Sequence, residues 1–319
     1  MPATTLTNPG RTRLAPSPTG ALHLGNARTF LVNWALARQN GWGVILRIED
    51  LDTPRVKPGS IEQTIDTLAW LGLDWDQGPL VQSHDLEPYR AAMRSLARRG
   101  LTYACELTRG QVEAAASAPQ EGVHEVRFPP QLRPAARAGS FDREDTNWRF
   151  ACPQAVVEFD DRFRGPTRVD PAAEVGDFVI WTRRGQPSYQ LAVVVDDHRQ
   201  GVTHVVRGDD LLGSAGRQLL LYRALGLGPE PAWCHLPLVR GSDGRRLAKR
   251  HGDTRLSAYR QRRVGPERVI GLMARWCGMV DRAEPMSADA FRRSLRLDRI
   301  SRQDIVFTEE DERWLQARS

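Results

Sequence analysis

The sequence RLAPSPTGALHLGN at residues 13–26 joins a short strand, a stiff turn and the start of a helix. Residues 11–15 predict the strand. Two prolines and a glycine between Pro16 and Gly20 predict a rigid loop after it. Apolar residues then recur at helical spacing over residues 24–39. The stretch therefore predicts a strand–loop–helix unit, the unit with which a parallel α/β sheet begins.

Two residues at the start of that helix indicate phosphate binding. His23 can donate a hydrogen bond to phosphate oxygens, and Gly25 lets a nucleotide approach the backbone. Backbone N–H groups at a helix start also attract anions. The plain alternative for a histidine and a glycine at this spacing alone is a proline-rich turn with a surface histidine. The complete strand–loop–helix string favours the phosphate hypothesis.

The strand–helix alternation continues on both sides of an irregular middle segment. Residues 44–48 predict a buried strand, and Ser60 with Gln63 predicts a capping box that opens an amphipathic helix. A further helix is expected to end before Gly100. The first hundred residues therefore read strand–helix–strand–helix–helix, which favours a doubly wound parallel sheet.

The later part of the chain changes pattern twice. Residues 105–185 are rich in alanine and proline, with alternating segments near 155–159 and 177–181, and predict a partly β insertion. Residues 202–206 predict a strand, and a helix is expected to follow it as far as Leu225. The chain after residue 255 has a helical pattern and is rich in arginine.

Charged residues stand where the predicted strands end. Glu49 follows the strand at 44–48, and Arg207 follows the strand at 202–206. In open α/β sheets, ligands bind at the carboxyl ends of strands. A carboxylate pairs with an ammonium group, and an arginine can clamp a carboxylate. Taken singly, these residues can also be solvated surface groups.

The glycine-flanked loop at residues 244–252 is strongly basic and suits a polyphosphate. It contains Lys249. Lys249 and Lys57 are the two lysines among the 45 lysine and arginine residues of the chain, and the others are arginines. A compact ammonium group therefore matters at this position. The alternative is an ordinary basic surface loop.

Composition limits the class of protein. The 319 residues are 40% hydrophobic with a net charge of +6, which fits a packed protein and mildly favours a polyanionic partner. No stretch approaches the roughly 18 apolar residues that a membrane helix needs. Residues 1–10 do not resemble a secretory signal, and the four cysteines form no close pair, so we expect a reducing cytoplasm.

Together, the charged and turn segments resemble the glutamyl-tRNA synthetase family of the class I aminoacyl-tRNA synthetases. The family's patterns stand at residues 13–25 (opening), 47–50 (Arg-Ile-Glu-Asp), 189–197 (Tyr-x-Leu-Ala-x-Val-Val-Asp-Asp), 201–207 (Gly-x-Thr-x-Val-x-Arg) and 246–250 (lysine signature loop). The resemblance covers about residues 11–260. It implies an α/β fold: a doubly wound parallel, Rossmann-like class I synthetase catalytic domain with a partly β insertion and a C-terminal helical subdomain.

The resemblance also implies the roles of individual residues. The glutamate-binding positions are Arg13, Ala15, Ser17, Glu49, Tyr189 and Arg207. Glu49 would hold the ammonium group, and Arg207 with Arg13 the carboxylates. The ATP-binding positions are His23, Gly25, Asn26 and Lys249, with His23 and Lys249 as the catalytic pair and Mg²⁺ accompanying the pyrophosphate. The remaining signature positions are Pro16, Gly20, Arg246, Leu247, Ala248 and Arg250.

One signature position departs from the family pattern: Ala248 replaces the usual serine, which removes one hydroxyl donor to phosphate. Asn26 stands at the second histidine position of the opening signature, which is ordinary for this family. The subfamily's zinc cysteines are also missing, because Leu107 stands where the second is expected and only His124 is nearby. A zinc site needs a closed set of nitrogen and sulfur ligands, so we expect no bound metal apart from the Mg²⁺ of ATP.

Only 69 residues follow Arg250, which are too few for the helical anticodon-binding domain of full glutamyl-tRNA synthetases. This shortening resembles the glutamyl-queuosine tRNA(Asp) synthetases, which attach glutamate to the queuosine base in the anticodon. The partners implied are L-glutamate and tRNA(Asp) carrying queuosine, for a monomer without a membrane partner. The alternatives are a shortened synthetase that charges the tRNA 3′ end and a non-catalytic paralogue that binds glutamate or a nucleotide.

We expect four units along the chain. They are the first half of the catalytic domain (11–104), an insertion (105–185), the second half of the catalytic domain (186–245) and the lysine loop with a helical subdomain (246–319).

Overall fold

The computed structural model describes residues 10–115, 126–135, 139–245, 247 and 254–317. The strands described are β1 (Arg11–Leu14), β2 (Gly43–Ile48), β3 (Gln77–Val81), β4 (Thr102–Cys105), β5 (Asn147–Phe150), β6 (Val157–Asp161), β7 (Gly165–Val169), β8 (Phe178–Thr182), β9 (Gln186–Pro187), β10 (His204–Gly208), β11 (Ala232–Leu236), β12 (Val239–Arg240) and β13 (Ile305–Val306). The helices described are α1 (Leu24–Gln39), α2 (Ser60–Trp70), α3 (Glu87–Arg98), α4 (Arg109–Ala115), α5 (Pro171–Glu174), α6 (Tyr189–Arg199), α7 (Leu212–Leu225), α8 (Leu256–Gln261), α9 (Pro266–Trp276), α10 (Ala288–Ser294) and α11 (Glu309–Gln316).

The parallel strands form two groups that meet at β1 and β10. β1 pairs with β2 and β2 with β3, while β10 pairs with β11 and β11 with β6, all in parallel. The groups meet where the backbone N–H of Thr203 donates to the carbonyl of Arg11 over 2.9 Å. The chain therefore leaves β1 towards β2 and returns on the other side of β1 at β10. This is the switch point at which open α/β sheets bind ligands.

Helix α1 lies against this sheet because its apolar spacing gives it one buried face. Leu24, Leu31, Val32 and Ala35 are buried in the same cluster as Leu46 of β2. That cluster extends to α9 and α10, and a second cluster packs α3, α6 and α7 together. Full burial of each large aliphatic side chain contributes about 1.5–3 kcal/mol. The C-terminal helices thus share their core with the catalytic sheet.

The middle of the chain contributes strands to two sheets. β4, β5, β8 and β9 form an antiparallel sheet, whereas the hairpin of β6 and β7 extends the parallel group through β11. The expected β character of residues 105–185 is therefore present. The division of the chain at residues 105, 186 and 246 stays a prediction.

Three local features differ from the sequence expectations. β3 was not expected, because Gln77–Val81 contains a glycine and a proline and is only half-buried at one end. The expected capping box of α2 is absent: Gly59, at φ +76°, occupies the N-cap, and the Ser60 hydroxyl donates to the carbonyl of Lys57 over 2.6 Å. Beyond residue 255, the chain also supplies a short strand, β13, which pairs with β12.

Candidate active site

A cavity of about 490 Å³ opens at the carboxyl-terminal ends of β1, β2 and β10. The expected site residues among its lining are Arg13, Ala15, Pro16, Ser17, Gly20, His23, Gly25, Asn26, Glu49, Tyr189 and Arg207. They come from segments nearly 200 residues apart in the chain. The structure therefore brings the first four signature segments to one cleft at the switch point.

Four charged side chains form a buried ion cluster on one wall of this cavity. Asp197 of α6 accepts hydrogen bonds from Arg13 Nε at 3.2 Å and from Arg47 Nη1 at 2.7 Å. Arg47 also donates through Nη2 to Glu49 at 3.1 Å. Arg47 is fully buried. Burial by itself lowers its pKa, but the carboxylates of Asp197 and Glu49 outweigh this effect, so the pKa of Arg47 is raised overall. The two arginines and two carboxylates balance one another, so the cluster positions Arg13 and Glu49 without excess charge.

Glu49 is the carboxylate of this cluster that lines the cavity, beside Arg13. Its backbone N–H donates to the carbonyl of Pro16 over 3.0 Å, which joins the end of β2 to the proline loop. Burial raises the pKa of the Glu49 carboxyl, although the guanidinium groups of Arg47 and Arg13 oppose that rise. A desolvated carboxylate of this kind gains most from a cation placed beside it. The position suits an ammonium group.

Arg207 is a buried cation surrounded by neutral partners. Its Nε donates to His235 Nε2 at 2.9 Å, Nη1 donates to Gln218 Oε1 at 2.8 Å, and Nη2 donates to the carbonyl of Leu211 at 3.1 Å. No carboxylate in the described part of the chain forms an ion pair with it. Burial lowers the pKa of Arg207, as expected for a charge without a counter-ion. Since Arg207 lines the cavity, a ligand carboxylate would supply the missing negative charge.

His235 and Asp161 hold the guanidinium of Arg207 from behind. His235 lies opposite Arg207 in the β10–β11 register, and its Nδ1 is 2.6 Å from Asp161 Oδ2. Because Nε2 accepts from Arg207, the imidazole proton lies on Nδ1 and is donated to Asp161. Burial, aided by Arg207, lowers the pKa of His235 to about 4. His235 is therefore neutral near pH 7 and adds no charge to the site.

The start of α1 differs from the sequence expectation. The first-turn N–H groups of Gly25 and Asn26, expected to face a phosphate, donate to Nδ1 of His23 at 3.2 and 3.4 Å. His23 is thus the N-cap, and its imidazole proton lies on Nε2. The two N–H groups that were expected to face a phosphate are therefore already bonded to the histidine ring.

Most of the expected lysine signature loop lies outside the described residues. This holds for Arg246, Ala248, Lys249 and Arg250. Leu247 is described and is buried in the core that also contains α1.

The described residues contain no group of three or more His, Cys, Asp or Glu side chains that could hold a metal ion. Cys105, Cys152, Cys234 and Cys277 are separate, buried thiols. No helix in the part of the chain that the structure describes is long and apolar enough to cross a membrane.

Sequence reasoning missed the residues that support the site from behind. Arg47 and Asp197 lie inside the quoted motifs, and a charged residue within a buried strand or an apolar helix was the available signal. Asp161, Gln218 and His235 gave no such signal. Asp161 and His235 reach Arg207 only through the pairing of β6, β10 and β11, and Gln218 reaches it from helix α7.

The parallel sheet, the histidine-capped helix after its first strand and the cleft with a carboxylate and a guanidinium fit the class I aminoacyl-tRNA synthetase catalytic domain that the sequence resembles. A family model described as tRNA synthetases class I (E and Q), catalytic domain, matches residues 10–314. The chain is 47% identical to the Glutamyl-Q tRNA(Asp) synthetase of Symbiobacterium thermophilum, over 92% of this chain and 94% of that protein. It is 45% identical to the protein of the same name from Rhodopirellula baltica, over 92% and 91% of the two chains.

The chain therefore belongs to the glutamyl-Q tRNA(Asp) synthetase family of class I ligases, and it is an enzyme. Solved structures agree with this membership: a glutamate-tRNA synthetase from Elizabethkingia anophelis superposes with a TM-score of 0.80 at 29% identity. That match covers 97% of this chain and 70% of the other. The match to this family confirms the expected class I catalytic domain fold. Class I synthetases use ATP.

Proposed function

We propose that this enzyme activates L-glutamate with ATP and transfers the glutamyl group to the queuosine base at the wobble position of tRNA(Asp). The observation that carries the glutamate assignment is the buried Arg207, which faces the cavity with neutral partners only. Glu49 presents the opposite charge in the same cavity. An amino acid with an acidic side chain matches both.

In the first reaction, an oxygen of the α-carboxylate of glutamate attacks the α-phosphorus of ATP, and pyrophosphate leaves. The chain needs no covalent nucleophile, because it has only to align the reactants and stabilise charge on the phosphoryl oxygens. His23 donates from Nε2, and Lys249 supplies an ammonium group. ATP enters as its Mg²⁺ complex. The product is glutamyl-adenylate.

Selection of glutamate over glutamine follows from the charge of Arg207. A γ-carboxylate neutralises the guanidinium, whereas an amide leaves a buried cation unpaired, at a cost of about 3–5 kcal/mol. His235 and Gln218 fix the direction of the guanidinium, so it cannot turn away from the wrong ligand.

In the second reaction, a hydroxyl of the cyclopentene ring of queuosine attacks the carbonyl carbon of the adenylate. An ester forms and AMP leaves. The arginine-rich segments after residue 255 and the insertion bind RNA phosphates, which makes binding sensitive to salt.

The support for queuosine comes from similarity. A Synechococcus glutamate–tRNA ligase is 40% identical over only 56% of its length, against 47% over 94% for the Symbiobacterium relative.

The deciding experiment incubates the enzyme with labelled glutamate, ATP and tRNA(Asp), with and without queuosine, and maps the label. We expect it in the anticodon fragment, only with queuosine-containing tRNA. Label on the terminal adenosine would support a shortened synthetase that charges the 3′ end and would overturn the queuosine assignment.

A parallel assay measures glutamate-dependent exchange between ATP and pyrophosphate without tRNA. We expect exchange, because the residues proposed to bind glutamate line the same cavity as His23, Gly25 and Asn26, which are proposed to bind ATP. Absence of exchange under all conditions would favour a non-catalytic glutamate- or nucleotide-binding paralogue. The monomeric state and the cytoplasmic location stay predictions.

A further inference from the structure

A second cavity, of about 400 Å³, lies beside the candidate active site and has no role in the reaction described so far. Residues Thr19 to Leu22 form a wall common to both cavities. The other walls are the Lys57–Ser60 turn with the first turns of α2, and the start of α8 at Arg255 and Ser257. A ligand that enters the active site along this side passes over the shared wall.

The lining of this second cavity is positively charged. Among the residues that the structure describes, its lining contains two charged side chains, Lys57 and Arg255, both exposed, and no acidic one. Ser60, Gln63 and Ser257 add polar groups, while the hydroxyls of Thr64 and Thr67 are already bonded to helix carbonyls. A cavity of this composition suits an anion.

Lys57 differs from the basic residues around it. Arg55 pairs with Asp52, and Arg260 pairs with Asp66 farther along the groove between α2 and α8. No carboxylate among the described residues pairs with Lys57. Lysine is also rare in this chain, where arginine fills nearly every other basic position. The uncompensated positive charge thus lies at the end of the groove beside the active site.

We infer that this second cavity binds a backbone phosphate of the RNA acceptor, next to the nucleotide that receives glutamate. The inference rests on the proposed function, because it assumes a polynucleotide substrate. A phosphate contact fixes the register of an RNA strand without reading its sequence. Lys57 supplies the charge, Arg255 lies on the opposite rim, and the shared wall sets the distance between the bound phosphate and the reacting base.

The test compares Lys57→Glu, Lys57→Ala and Lys57→Arg with wild-type enzyme. Affinity for tRNA(Asp) is measured by filter binding across a salt series, and ATP–pyrophosphate exchange is measured without RNA. For Lys57→Ala we expect about tenfold weaker RNA binding and a salt slope reduced by about one, with a larger loss for Lys57→Glu. Lys57→Arg should retain binding, and exchange should be unchanged in all three variants.

Arg223→Ala is the matched control, because it removes one charge from an exposed arginine on α7 that lines neither cavity and lies outside the insertion and the segments after residue 255. Wild-type affinity and salt slope in Lys57→Glu would overturn the inference. So would reduced exchange with unchanged RNA affinity, since the cavity would then hold a phosphate of ATP or free pyrophosphate. RNA binding is measured directly and does not depend on glutamate transfer. A wild-type enzyme that transfers no glutamate would therefore refute the proposed function, while the binding measurements would still decide this inference.

Discussion

Arg207 illustrates how the site obtains specificity from one residue. The buried cluster of Arg13, Arg47, Glu49 and Asp197 pairs two cations with two carboxylates and carries no net charge. Among the residues that the structure describes, Arg207 has hydrogen-bond partners but no counter-ion, so its charge is available to a ligand. A buried charge without a counter-ion destabilises the free protein slightly, and it strongly favours binding of the ligand that supplies the opposite charge.

Replacement of Arg207 by leucine tests this assignment. We expect kcat/KM for glutamate in pyrophosphate exchange to fall on the order of a thousandfold, because loss of one partner of a buried charge pair costs about 3–5 kcal/mol. The KM for ATP should change little. Arg168→Leu, on the exposed hairpin, is the control. A glutamate KM and kcat equal to those of wild-type enzyme would remove Arg207 from the site.

His235 acts through Arg207 and is a positioning residue. His235→Phe keeps the ring shape but removes the acceptor for Arg207 Nε and the donor to Asp161. We expect the KM for glutamate to rise about tenfold or more, with a smaller change in kcat, because the guanidinium loses one fixed contact. His235→Gln, which retains an acceptor and a donor, should restore part of the loss. An equal defect in both variants would argue for a purely structural role.

At the scale of elements, periodicity and turn residues were the reliable signals. The bounds of α1 and the ends of β1 and α3 follow the sequence closely, since apolar spacing, Pro16 and Gly100 determine them locally. β3 and β13 could not be predicted, because short strands without alternation exist only through their partners. The contact between Asp161 and His235 could not be predicted for the same reason, because only the pairing of β6 with β11 makes these residues neighbours.

Helix α9 supplies a test of packing at this scale. A Cβ on Gly271 would lie 1.8 Å from the backbone carbonyl oxygen of Glu284, so Gly271→Ala requires the helix or the loop to move. We expect a loss of about 3 kcal/mol in the free energy of unfolding, measured by urea denaturation. Gly110→Ala on α4 is the matched control, since its Cβ would meet no atom within 4 Å. Equal stability of the two variants would show that α9 approaches that loop less closely.

At the scale of the whole molecule, two histidines with lowered pKa values link folding to pH. Burial, aided by Arg207, lowers the pKa of His235 to about 4, and burial with Arg162 lowers that of His204 to about 4. The unfolded chain binds these protons near pH 6.5, where the folded protein does not. Burial raises the pKa of Glu49, Glu174 and Asp209, and these carboxyls act in the opposite direction.

The contribution of His235 can be isolated by comparing wild-type enzyme with His235→Gln. A group whose pKa is lower in the folded state stabilises the fold above its unfolded pKa and loses that contribution as pH falls towards its folded pKa. For His235 the window runs from about pH 6.5 to about pH 4. The wild type should therefore lose about 2 kcal/mol more than the variant between pH 7 and pH 5, in urea unfolding. His204 is half-exposed, so its replacement should change the slope less. Parallel curves for wild type and His235→Gln would mean that His235 titrates normally, and then Nε2 could not be the acceptor that holds Arg207.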